Sequence, residues 1–236
     1  MTRRHRIALK VAVWAACLAP LLALAWRLAT DPLVTNPIDV ATDTLGDWTL
    51  RILLLSLTMT PLRVVFGLSW PVTLRRLLGL FAFAYAGLHF SVWLVVDHLF
   101  DWPTMAADIV KRPYITVGFT ALLLLVPLAA TSTAGMVRRL GAVSWRRLHR
   151  LVYLIAILGV LHYLWLAKVG VLGPYYYAAW LGVLLVIRVG DAVRRARLRA
   201  RREAAGPRLA PRPARPARGS GTTPPVAPQT GGPMLP

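Results

Sequence analysis

The histidines are the residues of this chain best suited to chemistry, because three of the five lie within long apolar segments. These three are His89, His149 and His162, whereas His5 and His98 fall in positions expected to be solvated. Ionisable side chains inside a bilayer are costly and tend to serve a function. A neutral imidazole nitrogen is also a good iron ligand. Each of the three is therefore a candidate iron ligand, the alternative being a hydrogen bond between helices.

Two of these histidines are predicted to lie at the same depth. His89 follows Arg76 by 13 residues, and His162 follows His149 by 13 residues, a rise of about 19.5 Å in each helix. If Arg76 and His149 begin level, His89 and His162 end level in the outer half of the bilayer. Imidazoles on facing helices can bind the two axial faces of a haem iron. The chain has no Cys-x-x-Cys-His motif, so such a haem would be b-type.

His149 has a different setting, close to the cytoplasmic surface and among arginines. Three roles stay open for it: ligand of a second haem, contact to a flavin or a propionate, or cap of a helix. Neighbouring guanidinium groups could neutralise haem propionates or a flavin phosphate, because Arg binds both bidentately. Contact with lipid headgroups is the alternative for each of them. The candidates are Arg75, Arg76, Arg146 and Arg147.

The elements that carry these residues are membrane helices. Hydrophobic residues make up 57% of the 236 residues and charged residues 16%, against about 45–50% and about 25% in soluble domains. A spanning helix needs about 20 apolar residues and must pair its backbone internally. We therefore predict an all-α integral membrane protein with a six-helix transmembrane bundle. Its segments are Ile7–Trp26, Trp48–Leu68, Leu77–Val96, Tyr114–Ala130, Leu148–Ala167 and Leu172–Val189.

The charges predict the orientation of the bundle. Of 28 basic residues, 23 fall on one side of the membrane, and seven of the nine acidic residues fall on the other. The positive-inside rule places both termini in the cytoplasm. It leaves Thr30–Asp47 as an acidic outer loop without predicted structure. The first segment is interpreted as a retained helix rather than a cleaved signal peptide.

The net charge of +19 does not predict nucleic-acid binding, because the basic residues punctuate apolar runs instead of sharing one soluble face. The single cysteine, Cys17, excludes an intramolecular disulfide and a cysteine-based metal cluster. Residues 1–200 are predicted to form the membrane domain. Arg194–Arg202 is predicted to be a basic juxtamembrane helix that contacts anionic lipid, and residues 201–236 a disordered cytoplasmic tail rich in Pro, Ala and Arg.

Four runs of residues, in this order, resemble those of the MsrQ (YedZ) family. That family comprises haem-binding membrane subunits of a bacterial methionine-sulfoxide reductase system, within the ferric-reductase-like transmembrane superfamily. The resemblance covers roughly residues 5–200. The runs are Arg75–Phe90, Lys111–Gly118, Pro127–Ser132 and Trp145–Trp165.

The resemblance implies a multi-pass protein of the bacterial inner membrane that transfers electrons through FMN and one or two b-type haems. The donor would be a cytoplasmic flavin reductase or a quinol. The acceptor would be MsrP, a periplasmic molybdopterin enzyme that reduces methionine sulfoxide in oxidised proteins. The resemblance also makes His89, His149 and His162 the haem-ligand candidates. An arginine stands where related NADPH oxidases have a fourth histidine, so two bis-histidine haems do not follow.

Two other functions stay open at this point. The same bundle could serve as a haem-containing ferric or metal-ion reductase, which the superfamily permits. It could also be a transporter or a scaffold without haem, in which the histidines are contacts between helices. In the first reading the chain is an electron-transfer subunit, with the methionine sulfoxide chemistry in its partner.

Overall fold

The computed structural model describes residues 3–168 and 170–204, and its regular elements in these ranges are all helical. A 3-10 turn, Trp70–Leu74, precedes the third α-helix, and a π-helical turn, Val92–Asp97, follows it. The α-helices are α1 (Arg3–Thr30), α2 (Pro37–Phe66), α3 (Arg75–Ser91), α4 (Trp102–Lys111), α5 (Pro113–Ala130), α6 (Ala134–Leu148), α7 (Leu151–Leu166) and α8 (Gly173–Ala204).

Five helical stretches are long and apolar enough to span a membrane: α1, α2, the continuous run Trp70–Asp97, α5 and α8. Helices α6 and α7 meet at a 43° bend and supply a sixth span if they are counted together. Large apolar side chains stay exposed on these helices, as a lipid-facing surface requires; Trp26 and Val186 are each 72% exposed. The predicted all-α membrane bundle is confirmed.

The chain divides into two units, residues 1–194 and 195–236. The second is described only over 195–204, which is the helical end of α8. The predicted helix Arg194–Arg202 is confirmed by that span. Most of the predicted tail lies outside the described residues, so its disorder stays a prediction.

The prediction of an unstructured acidic loop at Thr30–Asp47 is wrong. Helix α1 extends to Thr30, and α2 begins directly after Asn36. The side chain of Asn36 accepts hydrogen bonds from the backbone N–H groups of Ile38 and Asp39 at 3.1 and 3.2 Å. This N-cap, with a proline at the first helical position, starts the helix well before its apolar stretch. The acidic residues thus form the first turns of α2.

Helix α2 lies at the centre of the bundle. Its buried side chains pack against α1, α3 and α7, while α5 packs mainly against α7. Helix α1 is fixed to α3 by a hydrogen bond of 2.7 Å from the Tyr85 hydroxyl to the Cys17 carbonyl. At one end of the bundle, Arg51 of α2 forms an ion pair with Asp47 at 2.7 Å and donates to the Tyr177 hydroxyl of α8 at 2.8 Å. The pairs α2–α3 and α5–α7 carry the site described next.

Helix α7, Leu151–Leu166, confirms the helix predicted at Leu148–Ala167 and begins three residues later than predicted. Gly141 has φ 74° and ψ 149° and interrupts α6, and α7 begins only at Leu151. His149 therefore lies in the turn between α6 and α7 and not on α7 itself. Since 13 residues of a straight helix would turn His149 and His162 to different faces, the bend frees the two side chains to be positioned independently.

Candidate functional site

The rings of His89 and His162 are neighbours in the bundle. His89 lies near the end of α3 and His162 near the end of α7. Their ring centroids are 6.3 Å apart, and their planes are inclined by 81°. Both side chains are half-buried. The equal 13-residue spacings therefore predicted correctly that these two histidines approach each other.

Each of the two rings is oriented by a backbone carbonyl. The Nδ1 atom of His89 is 2.9 Å from the carbonyl oxygen of Thr42, and Nδ1 of His162 is 2.7 Å from that of Tyr114. A carbonyl can only accept, so Nδ1 must carry the proton in both rings. In the neutral imidazole this leaves the Nε2 lone pair available to a metal. Neither Nε2 atom has a hydrogen-bond partner within residues 3–168 and 170–204.

Two glycines make room for these rings. A Cβ atom placed on Gly118 would lie 2.7 Å from Nδ1 of His162, and one on Gly46 would lie 3.1 Å from Cε1 of His89. Cβ atoms essentially never approach other atoms as closely as the first of these distances. Only glycine at position 118 therefore accommodates the observed ring, and Gly46 makes the equivalent contact less tightly.

The surroundings of the two histidines repeat the same pattern. On α2, Thr42, whose carbonyl accepts from His89, is followed four residues later by Gly46. On α5, Tyr114, whose carbonyl accepts from His162, is followed four residues later by Gly118. Residues four apart share a helix face, so each partner helix offers a carbonyl and a gap on one face. Sequence reasoning did not single out these four residues. The available signal was the four-residue spacing from Tyr114 to Gly118, which becomes informative only when the helix pairing is known.

His149 has a different environment. Its ring stacks on Trp145 with centroids 3.9 Å apart, and its Nε2 atom is 3.1 Å from the Thr131 hydroxyl oxygen. That hydroxyl also lies 2.6 Å from the Pro127 carbonyl, to which it must donate. The hydroxyl then accepts from Nε2–H of His149, so the proton of this neutral ring sits on the nitrogen opposite to that in the other two. His149 thus presents Nδ1 rather than Nε2 as its free lone pair.

The four predicted arginine candidates have unequal settings. Arg76, Arg146 and Arg147 are exposed, whereas Arg75 is half-buried with an Nε atom that is buried without a hydrogen-bond partner. Arg75 is also close enough to His149 for their charges to interact. Of the four candidates, Arg75 is therefore the one whose guanidinium group lies partly inside the bundle.

Arg188 of α8 is a further half-buried arginine at this end, and the sequence analysis did not single it out. It donates hydrogen bonds to the hydroxyl of Tyr153 on α7 and to the backbone carbonyl of Leu57 on α2. Its position four to five turns along α8 suggested only another basic residue at a membrane boundary. The packing of α8 against α2 and α7 is what brings it inward.

The prediction that His98 is solvated is wrong. Its side chain is 9% exposed, with Nε2 3.3 Å from the Asp108 carboxylate and Nδ1 3.2 Å from the Trp93 carbonyl. The π-helical turn after α3 and the N-cap of α4 at Asp101 bring these groups together. His98 thereby fastens α4 to the end of α3.

His89 and His162 offer only two side-chain atoms that could bind a metal. Among the described residues, no cluster of three or more His, Cys, Asp or Glu side chains is placed to hold a metal ion. The pair supplies two nitrogen ligands, so further ligands of a metal there would have to come from a non-protein group. A porphyrin, which leaves two axial positions of its iron to the protein, has that requirement.

The comparison with protein families indicates the class to which this helical membrane bundle belongs. Residues 45–160 match the family described as ferric reductase like transmembrane component. This range contains His89 and His149 and ends two residues before His162.

More specific relatives are proteins named protein-methionine-sulfoxide reductase heme-binding subunit MsrQ. The relative from Rhodospirillum rubrum is 52% identical over 188 residues, covering 80% of this chain and 90% of that protein. The relative from Herminiimonas arsenicoxydans is 50% identical, covering 77% and 84%. The relative from Ralstonia nicotianae is 48% identical, covering 77% and 85%. The chain belongs to the MsrQ family.

Proposed function

We propose that this chain is the haem-binding electron-transfer subunit of a methionine-sulfoxide reductase system, and that His89 and His162 are axial ligands of a b-type haem. Membership of the MsrQ family supports a membrane electron-transfer role. The observation that carries the ligand assignment is the separation of 6.3 Å between the two imidazole rings. When bound, the haem would supply an iron centre that accepts and releases one electron.

The two rings are close enough for a single metal ion to lie between them. Their centroids are 6.3 Å apart, and a bond from a metal ion to an imidazole nitrogen is about 2.0–2.1 Å, as in zinc sites. Both histidines also make hydrogen bonds between helices, through Nδ1 to the carbonyls of Thr42 and Tyr114. These bonds leave each Nε2 atom without a hydrogen-bond partner in the described part of the chain, and therefore available to a metal.

The protein's own contribution at this site is orientation. The carbonyls of Thr42 and Tyr114 accept hydrogen bonds from the Nδ1–H groups, which fixes the tautomer and makes each Nε2 atom a better metal ligand. Gly46 and Gly118 let both rings lie against neighbouring helices.

A second cofactor is proposed at the end of the bundle that holds His149. From Leu151 to His162, α7 rises about 16 Å, so the His89–His162 pair alone does not reach across a hydrocarbon core of about 30 Å. His149 and Arg75 lie at the opposite end and offer a stacked imidazole and a guanidinium. We assign this end to FMN, with a second haem on His149 as the alternative that a haem count decides.

The remaining parts of the proposal concern direction and partners. We propose that both termini face the cytoplasm of a bacterial inner membrane and that electrons enter at the His149 end from a flavin reductase or a quinol. They would leave at the His89–His162 end towards MsrP in the periplasm. The names of the relatives, which specify a subunit of a methionine-sulfoxide reductase, support a partner of that kind.

The test is an absorption spectrum of the detergent-purified full chain, reduced minus oxidised, with a pyridine haemochrome count per chain. We expect b-type bands, and we expect His89→Ala and His162→Ala each to remove the haem while the protein remains in the membrane. His5→Ala, which changes an exposed histidine of α1, is the matched control and should keep all haem. Full haem in both site variants would refute the ligand assignment, and a colourless wild type expressed with ample haem would favour a transporter or a scaffold.

A further inference from the structure

Two arginines at the His149 end lie partly inside the bundle without a counter-charge. Arg75 begins α3 and Arg188 lies midway along α8, and each has a buried Nε atom with no hydrogen-bond partner. Both residues contact neighbouring positions of α2: the Ser56 hydroxyl donates to the Arg75 carbonyl at 3.0 Å, and Arg188 donates to the Leu57 carbonyl. The two positive charges therefore repel each other. Like charges gathered away from water are costly unless an anion compensates them.

The two side chains are held differently. Arg188 is fixed: it donates to the Tyr153 hydroxyl and to the Leu57 carbonyl, and its guanidinium carbon lies 4.9 Å from the centroid of the Tyr153 ring. The side chain of Arg75 makes no hydrogen bond to the described residues. One arginine is therefore a preorganised positive charge, and the other is available to grip a ligand.

No carboxylate of the described residues compensates this pair. The ion pairs of arginine with aspartate in residues 3–168 and 170–194 involve Arg27, Arg51 and Arg112, and neither Arg75 nor Arg188 takes part in one. The nearby ionisable groups are Tyr153, Arg63 and His149, none of which is an anion at neutral pH. The compensating anion must therefore come from a ligand.

We propose that Arg75 and Arg188 form the binding site for a phosphate group of a ligand at this end of the bundle. A phosphate monoester carries a charge of about −1.5 to −2, which two guanidinium groups can neutralise. Arg75 can bind it bidentately, while Arg188, held by Tyr153 and Leu57, contributes a fixed positive charge. The phosphate of FMN and that of a phospholipid headgroup share this chemistry. The FMN source rests on the function proposed above, whereas the phosphate site itself does not.

The site differs from the arginines that the sequence predicted. Three of the predicted arginines are exposed: Arg76, Arg146 and Arg147. Water can solvate their charges, so they need no bound anion. Arg75 and Arg188 come from helices far apart in sequence, and α2 and α7 hold Arg188 towards the interior. Position 188 is thus assigned a role that its place in a basic C-terminal region had obscured.

The experiment compares FMN with riboflavin, which lacks the phosphate, on the full chain in detergent after its flavin has been removed. Flavin fluorescence quenching gives both affinities. For the wild type we expect FMN to bind at least tenfold more tightly than riboflavin, and for Arg75→Gln and Arg188→Gln we expect that preference to fall by about tenfold each. Arg76→Gln changes the exposed neighbour and should leave the preference unchanged.

A second control separates charge from packing. Tyr153→Phe removes a hydrogen bond of Arg188 without removing its charge, so we expect the FMN preference to survive. The haem spectrum and the elution profile show in every variant whether the bundle is intact. Arg188→Lys keeps a positive charge but loses the forked geometry by which the guanidinium donates to both Tyr153 and Leu57, and its preference should be intermediate.

The outcomes identify the source of the phosphate. If the wild type prefers FMN and both Gln variants lose the preference, the phosphate is that of FMN. If flavin binding is unchanged but both variants lose co-purified anionic phospholipid, measured by mass spectrometry, the phosphate site stands and its ligand is lipid. The same lipid measurement decides the site if the wild type binds no FMN, a result that would refute only the flavin part of the proposed function. Unchanged flavin and lipid in both variants, or loss of haem alone, would overturn the proposal.

Discussion

At the scale of single residues, the orientation of His89 and His162 depends on the backbone groups of the neighbouring helices that each ring contacts. A carbonyl fixes the proton on Nδ1, and a glycine one turn further along the same helix admits the ring. The two glycines are not equally constrained, because a Cβ atom would be 2.7 Å from His162 at position 118 but 3.1 Å from His89 at position 46.

We therefore expect Gly118→Ala to lower haem affinity more than Gly46→Ala. Forcing a methyl group into a packed site costs about 1–3 kcal/mol, and 1.4 kcal/mol corresponds to about tenfold in affinity. Gly118→Ala should lose at least tenfold, since His162 must leave its carbonyl partner, whereas a shift of a few tenths of an ångström accommodates Gly46→Ala. Haem titration of the apoprotein, followed by absorption, measures both values.

Gly87→Ala is the matched control for this series. Gly87 lies on α3, two residues before His89, and a Cβ atom there would have nothing within 4 Å. Its haem affinity should equal that of the wild type. Equal affinities for all three variants would mean that the rings do not need these contacts to bind haem.

The approach of His89 to His162 agrees with the equal spacings in the sequence, although His149 lies in a turn and the uniform helix rise applies only from Leu151 onward. The groups behind the rings were not predictable. Thr42 and Gly46 were assigned to a loop or to its edge, since an acidic run before an apolar segment resembles a polar connection. The run is helical because Asn36 caps the start of α2, but the only mark of this cap in the sequence is one asparagine followed by a proline.

At the scale of elements, the α6–α7 region shows how a break in a helix places a side chain. Gly141 interrupts α6, and the 43° bend before α7 leaves His149 in a turn, where Thr131 and Trp145 hold its ring. The sequence predicted a helix at Leu148–Ala167, which α7 confirms over Leu151–Leu166. The break at Gly141 lies before that segment and was not predicted. Such a break depends on backbone angles that an apolar pattern does not encode.

We expect Gly141→Ala to destabilise the protein by about 1–3 kcal/mol. At φ 74° and ψ 149° a residue with a Cβ atom is strained, and nothing lies within 4 Å of that position, so the cost is one of backbone conformation alone. Thermal unfolding in detergent measures the change. The haem of the His89–His162 pair should remain at full occupancy, because neither histidine lies on α6.

Gly135→Ala, also on α6, tests whether this effect is specific to the backbone angles. Gly135 has no positive φ, and its nearest neighbour would be 3.9 Å from a Cβ atom, an ordinary contact. An alanine there should be neutral or should stabilise by up to about 1 kcal/mol. If Gly141→Ala were equally neutral, the break in α6 would not need a left-handed residue.

At the scale of the whole molecule, the two ends of the bundle handle charge differently. Ion pairs of arginine with aspartate hold the end predicted to face outward, at Arg27, Arg51 and Arg112. At the opposite end, arginines are exposed along α6 and the end of α8, or lie inside the bundle at Arg75 and Arg188. Exposed cations suit the negative surface of a cytoplasmic leaflet. Arg75 and Arg188, which are half-buried and have no carboxylate partner among the described residues, are the two that we propose to bind a ligand phosphate.

This asymmetry makes the orientation of the chain testable with single cysteines. Cys17 is the only native cysteine and is buried, so it should react slowly with a membrane-impermeant maleimide. Leu33→Cys, at a position 84% exposed between α1 and α2, should be labelled in intact spheroplasts. Ser144→Cys, exposed on α6, should be labelled only after permeabilisation, because 23 of the 28 basic residues place that side in the cytoplasm. The opposite pattern would invert the bundle and put the His149 end outside, and electrons from a cytoplasmic donor would then have to enter at the His89–His162 pair.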